Sequence, residues 1–425
     1  MIFSFFYDLI FFIFLLFCLP KILFLYFFKK KYQKSFKQRF GLDFPQINKK
    51  GKPLIWIHAV SVGETRAIIL LSRLLASDYT LLISSITETG HAEAKRSLHF
   101  ADFHLFLPVD LKMVIDPIVK RVRPDIVMIS ETDLWFQFLS SAKKYGAKTV
   151  LVNGKISEKS TKRLLFFSFF AKRLYALIDF FCVQNDLYKE RFLSLGVPLN
   201  KMAVTGNLKF DEDENGWDEK DSAVWKERLG ISKEDQVVVV GSTHDVEERL
   251  ILDALRSLLE ENPHLKIILV PRHPERFDAV AGLLSERKHS FCRFSQSKNI
   301  SEQIILIDEM GLLRKCYKIA DLAIVGGSFT PKIGGHNILE PLRAGVPVLF
   351  GPYMHAQPDF LKLVLDAKAG IQVTDKEIFK TVKRLLENQQ ARALLASHGL
   401  KLIADISGSS KKTLSICQEL FSKKH

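Results

Sequence analysis

The stretch "GGSFTPKIGGHNILEP", residues 326–341, packs four glycines, a lysine, a histidine, an asparagine and a glutamate into sixteen positions. Such a run cannot build core, but it can hold a ligand. Glycine lets the backbone approach a ligand closely and adopt positive φ. "ILEPLRAG" has helical spacing, and the N-terminus of that helix offers unpaired N–H groups and partial positive charge, which suit a phosphate. Glu340, one turn in, can reach sugar hydroxyls. The same residues also read as a glycine-rich turn with Asn337 as the helix N-cap.

Other polar groups fall just beyond apolar runs. "PRHPER" (271–276) puts Arg272 after a strand-like segment, where a guanidinium can clamp a phosphate or simply face solvent. "GSTH" (241–244) offers small donors and His244, a substrate contact or a structural histidine. "HAVSVGE" (58–64) places Glu64 where a base could accept a hydroxyl proton, but Ser61-x-x-Glu64 is also a capping box. "SETDLW" (130–135) carries Glu131 and Asp133, and "TGNLKFD" (205–211) carries Lys209. A carboxylate and an ammonium together could balance the charge of a glycosyl transition state.

These residues need a scaffold that collects strand ends. Apolar runs at 54–58, 80–84, 125–129, 149–152 and 180–183 alternate with helical patterns. The alternation stops at "DEDENGWDEKD" (211–221), seven acids in eleven positions, and resumes with runs at 236–240, 266–270, 304–307, 321–325 and 347–350. Continuous Val/Ile/Leu runs between helices indicate parallel sheets covered on both faces. The expected fold class is therefore α/β: a domain over 29–210, a linker over 211–235 and a second domain over 236–425. Residues 211–213 could also be read as an Asp-x-Asp metal site, but an acidic solvated loop fits better. In such sheets ligands bind beyond the carboxyl ends of the strands, where all the motifs above lie.

Before these domains, residues 2–28 are apolar save for Asp8, Pro20 and Lys21. Residues 29–52 then carry nine Lys/Arg and one acid, within a net charge of +14. The run lacks the basic start and small-residue cleavage site of a signal peptide. It reads as an uncleaved single-pass anchor over 1–28 with the rest cytoplasmic, or as a helix lying in the membrane interface. A second basic and phenylalanine-rich segment, 159–181, fits a membrane-contacting face, a core helix with basic flanks, or stacked single-stranded nucleic acid. Five cysteines without a CxxC argue against a disulfide framework and structural zinc.

Taken in order and spacing, "WIHAVSVGE", "SETDLW", "TGNLKFD", "GSTH", "PRHPER", "GGSF" and "GGHNILEP" resemble 3-deoxy-D-manno-octulosonic acid (Kdo) transferases over essentially the whole chain. The resemblance implies GT-B architecture, two Rossmann-like domains facing a cleft after an N-terminal membrane anchor. It implies an inner-membrane enzyme, active on the cytoplasmic side, that transfers Kdo from CMP-Kdo to a lipid A precursor and releases CMP. By the same resemblance, Glu64 is the base, Glu131 and Lys209 stabilise the transition state, and Pro271, Arg272, Gly311, Leu312, Leu313, Asn337, Ile338, Leu339 and Glu340 hold CMP. No metal, cofactor or nucleic acid is expected; membrane lipid is. The family's usual Glu-Thr-Glu followed by Trp-Pro-Asn is here Glu-Thr-Asp, then Trp135-Phe136-Gln137, which puts the acceptor-side shape in question. A UDP-sugar enzyme of the same architecture and a membrane-tethered nucleic-acid binder are the competing readings.

Overall fold

The computed structural model describes residues 2–33, 35–211, 218–297 and 300–422. It divides into two compact units, Met1–Asp213 together with Ile406–His425, and Glu214–Asp405. The first holds strands β1 (Leu54–His58), β2 (Thr80–Ser85), β3 (Phe103–Phe106), β4 (Ile126–Ser130), β5 (Lys148–Gly154), β6 (Phe180–Val183) and β7 (Met202–Val204). The second holds β8 (Gln236–Thr243), β9 (Leu265–Pro271), β10 (Phe291–Arg293), β11 (Ile304–Leu306), β12 (Leu322–Val325), β13 (Val348–Phe350) and β14 (Gly370–Gln372).

Each unit is one seven-stranded sheet, ordered β3-β2-β1-β4-β5-β6-β7 and β10-β11-β9-β8-β12-β13-β14. Every pairing is parallel. The α/β fold expected from the alternating pattern, GT-B-like as the resemblance implied, is present, with an apolar N-terminal helix, Ile2–Phe27, ahead of it. Alternate residues of β1 show why its run is continuously apolar. Leu54 and Trp56 enter the core on one face of the sheet, and Ile55 and Ile57 enter the core on the other. Strand order reverses between β1 and β4 in one sheet and between β8 and β12 in the other. A crevice opens at such reversals, outside the carboxyl ends of the strands.

Two features differ from the sequence division. The segment read as a linker, 211–235, contains the helix Glu219–Arg228. Asp218 and Asp221 form its capping box, and its Trp225 packs on Phe294 at 5.3 Å between ring centroids. Part of the acidic run is thus a helix start, because Asp is favoured both at the N-cap and in the first turn. Residues 212–217, with Glu212 and Asp213 of the Asp-x-Asp reading, lie outside the described residues.

The second difference is at the other end. The domain read as 236–425 stops short, since the helix Ser409–Ser422 belongs to the first unit. Its Cys417 is wholly buried in the first unit's core beside Leu71, Leu75, Cys182 and Leu208. Asp211 fixes its start: Oδ1 accepts from the N–H groups of Gly408 (2.8 Å) and Ser409 (3.3 Å), and Oδ2 from Ser410.

Replacing this cap should therefore cost the first unit stability. Asp211→Ala is expected to lose about 1 kcal/mol, seen in scanning calorimetry as a melting temperature lower by roughly 2–4 °C. Asp211→Asn, which keeps one acceptor oxygen, should recover part of it.

Candidate active site

In the first unit, the reversal between β1 and β4 brings three carboxylates and two lysines together. The chain leaves β1 at His58 and enters the helix Val62–Ala67, with Ser61 as N-cap. Glu64 is buried, and its carboxylate is held locally: Oε2 accepts from Val60 N–H at 3.0 Å and Oε1 from the Ser61 hydroxyl at 2.9 Å. The capping contact is real, with Ser61 Oγ accepting from Glu64 N–H at 3.4 Å. Capping and proton transfer are nevertheless compatible here. Burial raises the Glu64 pKa above the ordinary carboxylate value, the Val60 and Ser61 hydrogen bonds oppose the shift, and the charges of Asp133 and Glu131 add to it. A buried carboxylate with raised basicity is a better proton acceptor than a solvated one.

Glu131 follows β4 with φ +62°, the left-handed region that non-glycine residues seldom occupy. Its N–H donates to Val152 O of neighbouring β5 at 2.9 Å, which holds the turn. The side chain is buried between two ammonium groups, Lys155 Nζ 2.6 Å from Oε2 and Lys209 Nζ 3.1 Å from Oε1. Lys209 sits in the short turn Leu208–Phe210 beyond β7. The amide of Asn153, at the end of β5, fixes that turn by accepting from Leu208 N–H at 3.0 Å. Asn153 also has positive φ, +55°. Two strained residues at adjacent strand ends thus place the carboxylate and its lysine partner.

Glu131 and Lys209 therefore meet, and Glu64 stands within range of Glu131's charge. Lys155 was missed by motif reading. Its signal was positional: it directly follows β5, the neighbour of β4. His58, at the end of β1, is wholly buried with Nδ1 2.9 Å from Ser84 Oγ. Burial pushes its pKa down to about 4, so it is neutral.

In the second unit, the reversal between β8 and β12 collects cations and imidazoles. His244, after β8, lies with its Nε2 2.7 Å from His336 Nε2, and His273 is 5.2 Å from His244 by ring centroid. One ring nitrogen donates and the other accepts, so the pair carries a single shared proton between these atoms. Burial first, then the charges of His244, Arg272 and His273, push the His336 pKa down to about 4. Burial, His273, Arg272 and Arg276 lower that of His244. His336 and His244 thus sit in a positive field that an anion would relieve. Pro271 ends β9, and Arg272 follows with an exposed side chain while its N–H donates to Thr243 O at 3.0 Å.

The glycine loop is folded onto this centre. Gly327, Gly334 and Gly335 all have positive φ, and Gly335 N–H donates to Gly327 O at 2.7 Å. A Cβ on Gly327 would meet His336 Cδ2 at 2.6 Å. Asn337 Oδ1 accepts from Leu339 N–H at 3.0 Å, but the N-cap position of the helix Leu339–Arg343 is taken by Ile338 rather than by Asn337 as the sequence suggested. Ile338 and Leu339 are core residues, so any ligand contact from them is through the backbone. Glu340 is half-buried. Gly311 (φ +89°) and Leu312 lead into the helix Leu313–Tyr317, which packs against the helix Leu339–Arg343.

Glu247, unremarked in the sequence, organises these loops. Its buried carboxylate accepts from Gly327 (2.7 Å), His244 (3.0 Å) and Phe329 (2.9 Å) N–H groups. Among the described residues, no group of three or more His, Cys, Asp or Glu could hold a metal ion.

Burial raises the Glu247 pKa despite those three donors, so its value to the fold lies in the acceptors rather than the charge. Glu247→Ala is expected to destabilise the second unit by about 2–3 kcal/mol and to speed amide exchange at Gly327 and Phe329. Glu247→Gln, which keeps one acceptor oxygen, should cost clearly less. Hydrogen exchange read by NMR or mass spectrometry checks both.

Comparison with known proteins identifies the family. A family model described as 3-deoxy-D-manno-octulosonic-acid transferase matches residues 34–212, and one described as glycosyl transferases group 1 matches residues 222–401. The chain is 35% identical to a 3-deoxy-D-manno-octulosonic acid transferase of Chlamydia muridarum, covering 93% of each. It is 32% identical to one of Haemophilus influenzae, covering 85% of this chain and 86% of that one. Among solved structures it resembles a UDP-GlcNAc 2-epimerase from Neisseria meningitidis in fold alone, with 14% identity, a TM-score of 0.53, and coverage of 88% of this chain and all of that one.

Proposed function

The chain belongs to the Kdo transferase family of glycosyltransferases in lipopolysaccharide biosynthesis, and from that premise we propose that it is an inverting enzyme moving Kdo from CMP-Kdo to a lipid A precursor. The observation that carries this reading is the first unit's carboxylate–lysine cluster: a buried, basic Glu64 beside a Glu131 held between Lys155 and Lys209. In the reaction, the acceptor hydroxyl oxygen bonds to the anomeric carbon of Kdo as the bond from that carbon to the CMP phosphate oxygen breaks. The hydroxyl proton passes to Glu64, and CMP departs with the electron pair. Glu131 is suited to stabilise positive charge on the sugar ring, and Lys209 to stabilise negative charge on oxygen. Lys155 neutralises the second oxygen of Glu131 and fixes its direction.

The second unit supplies the donor site in this reading. Arg272 takes the phosphate with the His244–His336–His273 group around it, the 311–313 and 337–340 turns offer backbone N–H groups, and Glu340 takes ribose hydroxyls. The leaving group has one phosphate, for which an arginine and helix-end donors suffice, so the proposal invokes no cofactor. The protein works at the cytoplasmic face of the inner membrane, attached through residues 1–28, where an anchored basic enzyme meets an anionic lipid without extracting it.

Donor binding is tested by titration calorimetry with CMP. Arg272→Ala should weaken binding at least tenfold through the phosphate, and Glu340→Ala should weaken it through the ribose. Unchanged affinity in both folded variants would remove the nucleotide from these loops.

Catalysis is tested by mass spectrometry of the product from purified protein, a lipid A precursor and CMP-Kdo, with CMP-sialate and UDP-sugars as competing donors. Only CMP-Kdo should yield product. Glu64→Gln should lower turnover by ~10²–10⁴-fold with CMP affinity unchanged. Because folding raises the Glu64 pKa, its ionised form is disfavoured in the folded state. Any stability it lends is present at low pH and is lost as pH rises through the raised value. The glutamine variant should therefore melt no lower than wild type near pH 8. A rate within a few-fold of wild type would leave Glu64 as a helix cap only.

A further inference from the structure

The helix Ile2–Phe27 is long and apolar enough to cross a bilayer, and none of its residues is buried. Yet it is bonded to the first unit at both ends. Near its start, Tyr7 donates to Asp110 Oδ2 at 2.6 Å, and Asp110 in turn caps the helix Phe136–Lys144 by accepting from Gln137 and Phe138 N–H. Gln137 Nε2 donates to Asp8 Oδ1 at 2.8 Å and to Ser4 O at 3.0 Å. Asp8 also accepts from Lys112 N–H at 3.3 Å. Phe3 and Tyr7 pack on Phe136, and Phe11 packs on Trp135. Phe136 and Gln137 are two of the positions where this sequence departs from the family's usual motif, and both are absorbed into gripping the helix.

At the other end, Tyr26 packs on Phe36, Lys31 N–H returns to Leu25 O, and Tyr32 N–H donates to Glu88 Oε1 at 2.8 Å. Gln38 and Arg39 then hold Phe106 by a hydrogen bond and a cation–π contact. From Tyr7 to Tyr26 the helix advances about 28 Å, close to the thickness of the hydrocarbon core. If the helix crossed the bilayer in this arrangement, the body attached at both ends would have to lie through the hydrocarbon. That would draw the body carrying Asp110 and Lys112, held against Tyr7 and Asp8, into the bilayer, and a charge carried to the centre costs at least about 2.5–3.5 kcal/mol.

We propose that this helix lies along the membrane surface rather than across it, one side clasped to the first unit and the other sunk in the interface of an anionic leaflet. The outward side carries Phe5, Phe6, Ile10 and Phe17, the last 89% exposed. The apolar face continues past the helix. Phe3 packs on Phe169, and Phe166, Phe167 and Phe169 are exposed where the helix Glu158–Phe166 gives way, through Phe167, to the helix Ser168–Tyr175. Arg173 sits over the rings of Phe3 and Phe169. Lys159, Lys162 and Arg163 on these helices, and Lys29, Lys30 and Lys31 after the N-terminal helix, supply the cations. Each adds about 1 kcal/mol at an anionic surface. An apolar face edged by basic residues is the pattern of an in-plane membrane helix.

The test is topological and does not depend on which sugar is transferred, so it can fail while the catalytic reading stands. A hydrophilic, protease-cleavable epitope is placed before Met1 of the full chain, and the protein is expressed in a bacterial inner membrane. Protease is then added to intact spheroplasts or to inverted vesicles. The expected result is epitope loss only in inverted vesicles, on the same side as a second epitope placed after His425. Loss only in spheroplasts means the helix crosses the bilayer and overturns the proposal. Recovery of the intact protein in the soluble fraction overturns it as well. A paired Tyr7→Phe, Gln137→Ala variant reads the clasp itself. Its epitope should become partly accessible from the spheroplast side, and an epitope that stays wholly on the vesicle side would show that the clasp does not set the orientation.

Discussion

A parallel sheet buried on both faces has no room for chemistry along its strands; it can offer reactive groups only where the strands end. The chain must turn sharply there, and in this protein it does so through residues in the left-handed region: Glu131 after β4, Asn153 near the end of β5, Ser242 near the end of β8, and Gly327 after β12. These lie at, or one strand from, the two reversals of strand order. The backbone strain falls on residues that aim polar groups, Glu131 itself and Asn153, whose amide fixes the Lys209 turn, while Gly327, against which His336 packs, takes the same region without strain. A conformation that costs of order 1–3 kcal/mol per residue persists because the sheet on one side and the loop hydrogen bonds on the other leave no alternative.

The two units solve the electrostatics in opposite ways. The first concentrates carboxylates and answers one of them with two ammonium groups, leaving Glu64 poorly solvated and basic. The second concentrates guanidinium and imidazole groups, and burial, with that positive field added, lowers the pKa values of His244 and His336. Proton acceptance suits one environment and capture of a phosphate the other. Neither arrangement could serve both purposes, since a carboxylate cluster repels the donor and a cationic pocket would stabilise the anionic form of a base and blunt it.

Sequence reading found the ten inner strands because buried parallel strands leave unbroken apolar runs. It missed β3, β7, β10 and β14, and all four are sheet edges. An edge strand is short and half-covered, so "MAV" or "GIQ" carries too little pattern to separate it from a loop. The same logic governs the site. Glu131 and Lys209 could be named from their motifs, whereas Lys155 acquires its role only from lying on the strand beside β4, and Glu247 only from three backbone donors gathered from distant segments. Contacts of this kind depend on strand order, which local composition does not encode. The cysteines, in contrast, were legible by count alone: all five are free.

The return of the last helix to the first unit makes the second unit an insertion in sequence terms, with two covalent crossings where a tandem arrangement would have one. Cys417 and its neighbours complete a core whose other walls, Leu71, Leu75 and Cys182, were synthesised more than two hundred residues earlier. During translation, the half of the protein made first is therefore the half finished last. Its core stays open at one edge while the second unit, whose sheet is complete by Gln372, can already close around its own strands. A chain cut short by some twenty residues would injure the distant half that carries Glu64 and leave the adjacent half that carries Arg272 whole.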